Sequence, residues 1–205
     1  MNHYFTDNRH LAQNRKEITF RFSCFTYRFI TDNGVFCKDH VDMGSQVLIE
    51  TIHREKQLGE RVLDLGCGYG AIGIVLAKLF PESTWTLAEV NPRSLELAKE
   101  NAALNDVKAF CVYSDVYSGV EGNTFTDIIT NPPIRAGKEI VNQMLDGAYA
   151  HLADGGRLWV VIRKQQGAPS AKKRIQERFG NCEILERSKG YYILFAKKLD
   201  KLTVD

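Results

Sequence analysis

One stretch constrains the fold more than any other: Arg61-Val62-Leu63-Asp64-Leu65-Gly66-Cys67-Gly68-Tyr69-Gly70-Ala71-Ile72-Gly73. Val62, Leu63 and Leu65 form a short apolar run bounded by polar residues and glycines, the pattern of a buried parallel strand. Gly66, Gly68 and Gly70 predict a tight turn, and Ile72, Ile74, Val75, Leu76 and Leu79 continue as an apolar helix. Strand, glycine turn, helix is a nucleotide-site arrangement. Glycines let the backbone approach a ligand closely, and the helix N-terminus offers free N–H groups.

The chain has 205 residues, which suits a single α/β domain with one core. Apolar residues make up 44% and charged residues 25%, as in ordinary globular proteins. No apolar run approaches the ~18 residues of a membrane span. Met1 to Asp7 lacks a basic region followed by an apolar stretch, so no signal peptide and a cytoplasmic location are expected. Cys24, Cys37, Cys67, Cys111 and Cys182 are odd in number and widely spaced, without a C-x-x-C pair. They predict buried thiols rather than a zinc or redox site, and the histidines show no ligand spacing, so no metal is expected. A net charge of +2 is compatible with RNA binding without arguing for it.

Taken in order, residues 1–16 predict a polar terminus. Ile18, Phe20 and Phe22 alternate with Thr19 and Arg21 as a half-buried strand, and a second strand follows through Tyr27, Phe29 and Ile30 to the turn Asp32-Asn33-Gly34. This small N-terminal strand addition reads equally as a substrate-facing flap or as a pair capping the core. Ser45 is placed to cap a helix that turns Val47, Leu48, Ile49 and Ile52 inward. After the glycine turn come a strand over 84–90 ending in Glu89-Val90, and a helix opened by Asn91-Pro92. A strand over 108–112 then leads to Asp115-Val116. The next strand, 126–130, runs into Asn131-Pro132-Pro133-Ile134, followed by a helix over 135–151 and a turn at 153–156. A strand over 157–162, a helix over 169–179 and a closing hairpin around Ser188-Lys189-Gly190 complete the chain, with a tail from Leu199.

Which ligand does the glycine turn take? Gly66 to Ala71 also fits the dinucleotide fingerprint G-x-G-x-x-G/A. Asp64 shifts the balance. At the strand end its carboxylate would face the crevice, repelling a pyrophosphate and attracting a cation such as S-adenosylmethionine (SAM). An ordinary βα turn remains the plain alternative. Glu89, about 20 residues past the glycines, is placed to bind ribose hydroxyls in either case. Two prolines at the end of a strand fix a rigid backbone where a doubly wound sheet holds its site.

Asp64-Leu65-Gly66-Cys67-Gly68-Tyr69-Gly70 resembles the first motif of the class I SAM-dependent methyltransferases, and Asn131-Pro132-Pro133-Ile134 resembles their N-P-P-aromatic motif for amines conjugated to a π system. With Gly34-Val35-Phe36 and Val41-Asp42-Met43-Gly44-Ser45, the chain over about 17–197 is similar to the small-subunit ribosomal RNA guanine-N2 methyltransferases. The resemblance implies a Rossmann-like α/β fold: a mostly parallel seven-stranded sheet, helices on both faces and an antiparallel last strand. It implies one methyltransferase domain over 1–205, with strands and a cofactor lid in 1–45 and the core in 46–198. It implies SAM as cofactor, held by Asp64, Gly66, Cys67, Gly68, Gly70, Glu89, Val90, Asp115, Val116 and Asn131. Asn131, Pro132, Pro133 and Ile134 are the implied catalytic set, with the Asn131 oxygen and Pro132 carbonyl accepting from the amine. Phe36, Lys38 and Ser45 are lid candidates. Arg163, Lys164, Lys172, Lys173, Arg174 and Arg178 are candidate phosphate contacts for ribosomal RNA or the small subunit. Ile134 and Cys37 depart from the family pattern, where a stacking ring and a serine are usual. A glutamine side-chain methyltransferase, an NAD-dependent oxidoreductase and a non-catalytic RNA-binding module remain as other readings.

Overall fold

An antiparallel hairpin opens the chain. Strand β1 (Lys16–Phe22) pairs with β2 (Phe25–Thr31) across a turn in which Ser23 has φ 54°. The computed structural model describes residues 12–199. The polar terminus expected over residues 1–11 and the tail over 200–205 lie outside the described residues. The core follows as α1 (Met43–Glu55), β3 (Arg61–Leu65), α2 (Ala71–Leu79), β4 (Thr84–Glu89), α3 (Pro92–Leu104), β5 (Phe110–Tyr113), β6 (Phe125–Thr130), α4 (Lys138–His151), β7 (Leu152–Arg163), α5 (Ala168–Phe179), β8 (Glu183–Ser188) and β9 (Tyr191–Lys197).

The seven core strands form one sheet in the order β5-β4-β3-β6-β7-β9-β8. β3 to β7 are mutually parallel, and β9 runs antiparallel to both β7 and β8. This is a Rossmann-like sheet with the antiparallel last strand that the sequence led one to expect. Strand order reverses between β3 and β6, so a crevice opens over the C-terminal ends of the parallel strands at that point. The period-2 alternation of β7 divides the core: Trp159 and Val161 join the cluster containing α1 and α2 residues, while Leu158, Val160 and Ile162 join that of α4 and α5. Gly73 lets α2 lie directly on the sheet, since a Cβ there would come within 2.2 Å of Leu87 Cδ2.

The hairpin packs on the core as a cap. Tyr27 and Phe29 are fully buried. Asn101 of α3 and Asn105, which caps its C-terminus, substitute for a neighbouring strand. Asn101 Oδ1 accepts from Ile30 N (2.7 Å) and its Nδ2 donates to Ile30 O (3.0 Å). Asn105 does the same for Arg28 at 3.0 and 2.7 Å. A strand edge that would otherwise leave buried backbone groups unpaired is thereby satisfied.

Four local expectations need correction. Asp42, not Ser45, caps α1: its carboxylate accepts from Ser45 N at 3.0 Å, and Ser45 lies inside the first turn. The fifth strand begins at Phe110, not Lys108, because Asp106 (φ 56°) and Val107 N bonded to Ala102 O still close α3. The helix expected over 135–151 is split: after the double proline, Ile134–Ala136 make one 3-10 turn, Gly137 takes φ 105°, and only then does α4 begin. The turn expected at 153–156 is absorbed into β7, where Gly155 (φ 75°) donates to Lys198 O at 2.8 Å.

Candidate active site

A cavity of roughly 670 Å³ occupies the crevice, within the range of small-molecule sites. One end is lined by the C-terminal ends of β3, β4 and β5, through Gly66, Cys67, Gly68, Glu89, Val90, Asp115 and Val116. The other is lined by the segment after β6, the end of β7 and the start of β9, through Asn131 to Ala136, Arg163 and Tyr191.

At the first end the backbone is the binding surface. Gly66, Gly68 and Gly70 have φ of 73°, 59° and 93°, a region costly for any residue with a Cβ. A Cβ on Gly68 would meet nothing within 4 Å, so the concavity above it is open to a ligand. Glu89 Oε2 accepts from Gly68 N and Oε1 from Asn91 N, both at 2.8 Å. These bonds aim the carboxylate into the cavity and leave each oxygen a further lone pair for a hydroxyl. Burial pushes the Glu89 carboxyl up, against the pull of those backbone donors. Asp115 is exposed at the cavity wall, and Val116 beside it is held at φ 52°. A β-branched residue pays strain there, as backbone at functional sites often does.

Asp64 is not where the sequence suggested. Its side chain is 1% exposed, lies beneath the glycine turn and does not face the crevice. Oδ2 accepts from Gly73 N at 2.8 Å, tying strand to helix, while Oδ1 has no partner among the described residues. Burial pushes its carboxyl up to about 7; the Gly73 bond opposes this and Glu89 adds to it. A buried, half-satisfied carboxylate under an open glycine cradle suits a cationic ligand better than a pyrophosphate.

At the second end the geometry depends on side chains from distant segments. Asn131 Nδ2 donates to Asp42 Oδ2 at 3.0 Å and to Ser45 Oγ at 3.1 Å. A carboxylate only accepts, so the amide nitrogen must face it, and the amide oxygen takes the opposite branch. No donor among the described residues meets that oxygen. Pro132 is buried, Pro133 and Ile134 are half-buried, and all three line the cavity beside it. Cys37, also on the wall, is a neutral thiol pushed up to about 11, by burial first and then by Asp42.

Of the lid candidates, Phe36 and Ser45 line the cavity. Lys38 does not; its ammonium bonds Asn33 Oδ1 at 2.8 Å. Of the six basic candidates only Arg163 lines it. Arg174 is committed to Asp146 through two bonds of 2.8 Å, and Arg178 lies 5.0 Å from the Tyr149 ring centroid. Sequence reasoning missed Asp42 as the residue that orients Asn131, and missed Tyr191 and Arg135 at the cavity mouth. Asp42 carried a signal, an acid three residues before Ser45 at a helix start; its pairing with Asn131, 89 positions away, did not.

Comparison with known sequences matches residues 26–195 to the methyltransferase small domain. The chain belongs to the methyltransferase small domain family. It is 41% identical over 199 residues to the uncharacterized protein YbxB of Bacillus subtilis (strain 168), covering 96% of this chain and 98% of that one. It is 34% identical over 159 residues to ribosomal RNA small subunit methyltransferase C of Yersinia pestis (strain Pestoides F), covering 76% of this chain and 44% of that one. Among solved structures it resembles the T. thermophilus 16S rRNA N2 G1207 methyltransferase RsmC, in complex with AdoMet and guanosine. That match has a TM-score of 0.82 and 28% identity, over 90% of this chain and 50% of that one. The chain thus spans about half the length of the ribosomal RNA methyltransferases it matches. It is a SAM-dependent methyltransferase, and the dinucleotide reading of its glycine turn falls away. The glycine cradle, Glu89 and the orphaned Asp64 oxygen fit that cofactor. None of its helices is long and apolar enough to cross a membrane, and no group of metal-ligating side chains occurs, among the described residues.

Proposed function

We propose that the protein methylates an exocyclic amino group, the N2 of a guanine in small-subunit ribosomal RNA. The observation that carries this is the Asn131 amide, whose nitrogen is committed to Asp42 and Ser45, so that its oxygen is left without a donor among the described residues. The relatives named as ribosomal RNA methyltransferases support the choice of acceptor. The ten residues named as cofactor contacts are part of the proposal, with Asp64 acting from beneath the turn.

SAM, when bound, supplies a methyl group on a sulfonium already activated toward displacement. What this chain must add is placement and electrostatics. An amine conjugated to a ring has its lone pair delocalised. The Asn131 oxygen and the Pro132 carbonyl accept its two N–H groups, which pushes the nitrogen toward sp³ geometry and frees the lone pair from conjugation. The same two acceptors stabilise positive charge as it develops on nitrogen. The double proline keeps that carbonyl from yielding. Glu89 fixes the ribose, so the two reactants meet in one geometry.

The test is labelled-methyl transfer from SAM to small subunits and free RNA from cells lacking the gene, with digestion to nucleosides. N2-methylguanosine is the expected product. Label found only in protein would move the acceptor to a glutamine or another side chain and overturn the proposal.

A further inference from the structure

The acceptor end of the cavity carries a feature that methyl transfer alone does not require. Arg163 closes β7 and Tyr191 opens β9, and the two stand directly opposite across that antiparallel pair. The Arg163 guanidinium carbon lies 5.3 Å from the Tyr191 ring centroid. A guanidinium this close to an aromatic ring is attracted to it and held near it. Tyr191 is itself fixed. It packs on the first turn of α1, where a Cβ on Gly44 would come within 2.7 Å of its Cε1. The same turn carries Asp42 and Ser45, which hold Asn131. Arg163 is therefore referenced to the catalytic amide through one rigid turn. Arg135, one residue past Ile134, is exposed on the same wall. Neither arginine has a carboxylate partner among the described residues, unlike Arg157, Arg174 or Arg28.

Charge along the cavity is thus divided. Glu89 and Asp115 line the cofactor end; at the acceptor end Asp42 is engaged by Asn131, and Arg135 and Arg163 add two cations with no ion-pair partner among the described residues. A neutral amide acceptor would give two unpaired guanidinium groups nothing to meet. A nucleotide gives them a phosphate for their N–H forks and a base face to lie against. Ile134 offers an apolar side chain but no ring, and the planar guanidinium of Arg163, held beside Tyr191, is the group at this end that can stack on a base.

We infer that Arg163, positioned by Tyr191, is the clamp for the acceptor nucleotide, with Arg135 as its second cation, and that the substrate is an unpaired nucleotide carrying a flanking phosphate. This rests on the RNA reading above. Tyr191 is a positioning residue; Arg163 and Arg135 contact the acceptor.

The experiment is steady-state transfer to small-subunit RNA, with SAM affinity measured in parallel by calorimetry. Arg163→Ala should raise the KM for RNA about tenfold, leave SAM affinity unchanged, and lower the salt slope of RNA binding by about 0.7 for the lost phosphate contact. Arg163→Lys should restore the slope but not the KM. Tyr191→Leu should mimic Arg163→Ala, Tyr191→Phe should restore the KM by keeping the ring, and the double variant Arg163→Ala/Tyr191→Leu should be no worse than Arg163→Ala. If the wild type methylates RNA and Arg163→Ala has the same KM and slope, the clamp is wrong and the RNA reading stands. If the wild type labels protein and never RNA, both fall.

Discussion

The two ends of the cavity are built on different principles. The cofactor end is backbone: three left-handed glycines, a helix start and a carboxylate held by N–H donors, nearly all from residues 64–91. The acceptor end is side chain: Asn131 from the end of β6, Asp42 and Ser45 from the start of α1, Arg163 and Tyr191 from β7 and β9. A site made of contiguous backbone serves one unchanging ligand. A site assembled from distant side chains changes its acceptor by single substitutions, leaving the cofactor end untouched.

If that division is real, variants should fall into two kinetic classes. The largest effect belongs to Asn131→Ala, which should lower kcat about 100-fold, or roughly 3 kcal/mol of transition-state stabilisation, with little change in SAM affinity. Parallel loss of both would dissolve the distinction. Glu89→Ala should do the reverse, weakening SAM about 30-fold in calorimetry, the scale of one lost ribose hydrogen bond to a charged group, while kcat at saturation holds. Asp42→Ala frees the Asn131 amide and removes a helix cap. It should lower kcat about tenfold and destabilise the fold by about 1 kcal/mol in denaturant titrations. A fall in stability alone would make Asp42 a cap and nothing more.

The smallest effect sharpens the electrostatics of the cofactor end. The Asp64 carboxyl is pushed up to about 7, chiefly by burial. A cation bound above it favours the ionised form, so binding at about pH 6.5 should expel part of a proton, and SAM affinity should decline as pH falls through about 7. For folding the sign is opposite. The native state keeps a proton the unfolded chain has lost, so this group's contribution to stability falls as pH rises between the ordinary carboxylate range and about 7. Asp64→Asn keeps the bond to Gly73 N and should abolish the proton release seen when calorimetry is compared across buffers.

The same division explains what the sequence alone could reveal. Gly66, Gly68, Gly70 and Glu89 lie within one βαβ unit, where spacing dictates position, and the succession of strands and helices was readable from alternation and turn chemistry. Asn131-Pro132-Pro133 was legible because prolines mark their own geometry. Asp42 meeting Asn131 and Arg163 lying on Tyr191 are products of tertiary packing across long separations, and no local pattern encodes them. Asp64 misled for a related reason. Its residue type announces a charge, but only the closeness of α2, permitted by Gly73, shows that the carboxylate is roofed over.

The most direct test is a crystal structure with S-adenosylhomocysteine and guanosine bound together. The account predicts the guanine amine within hydrogen-bond reach of Asn131 Oδ1 and the Pro132 carbonyl, with Asn131 Nδ2 still on Asp42. A guanine bound away from Asn131, or an Asn131 amide turned so that its nitrogen faces the base, would contradict it.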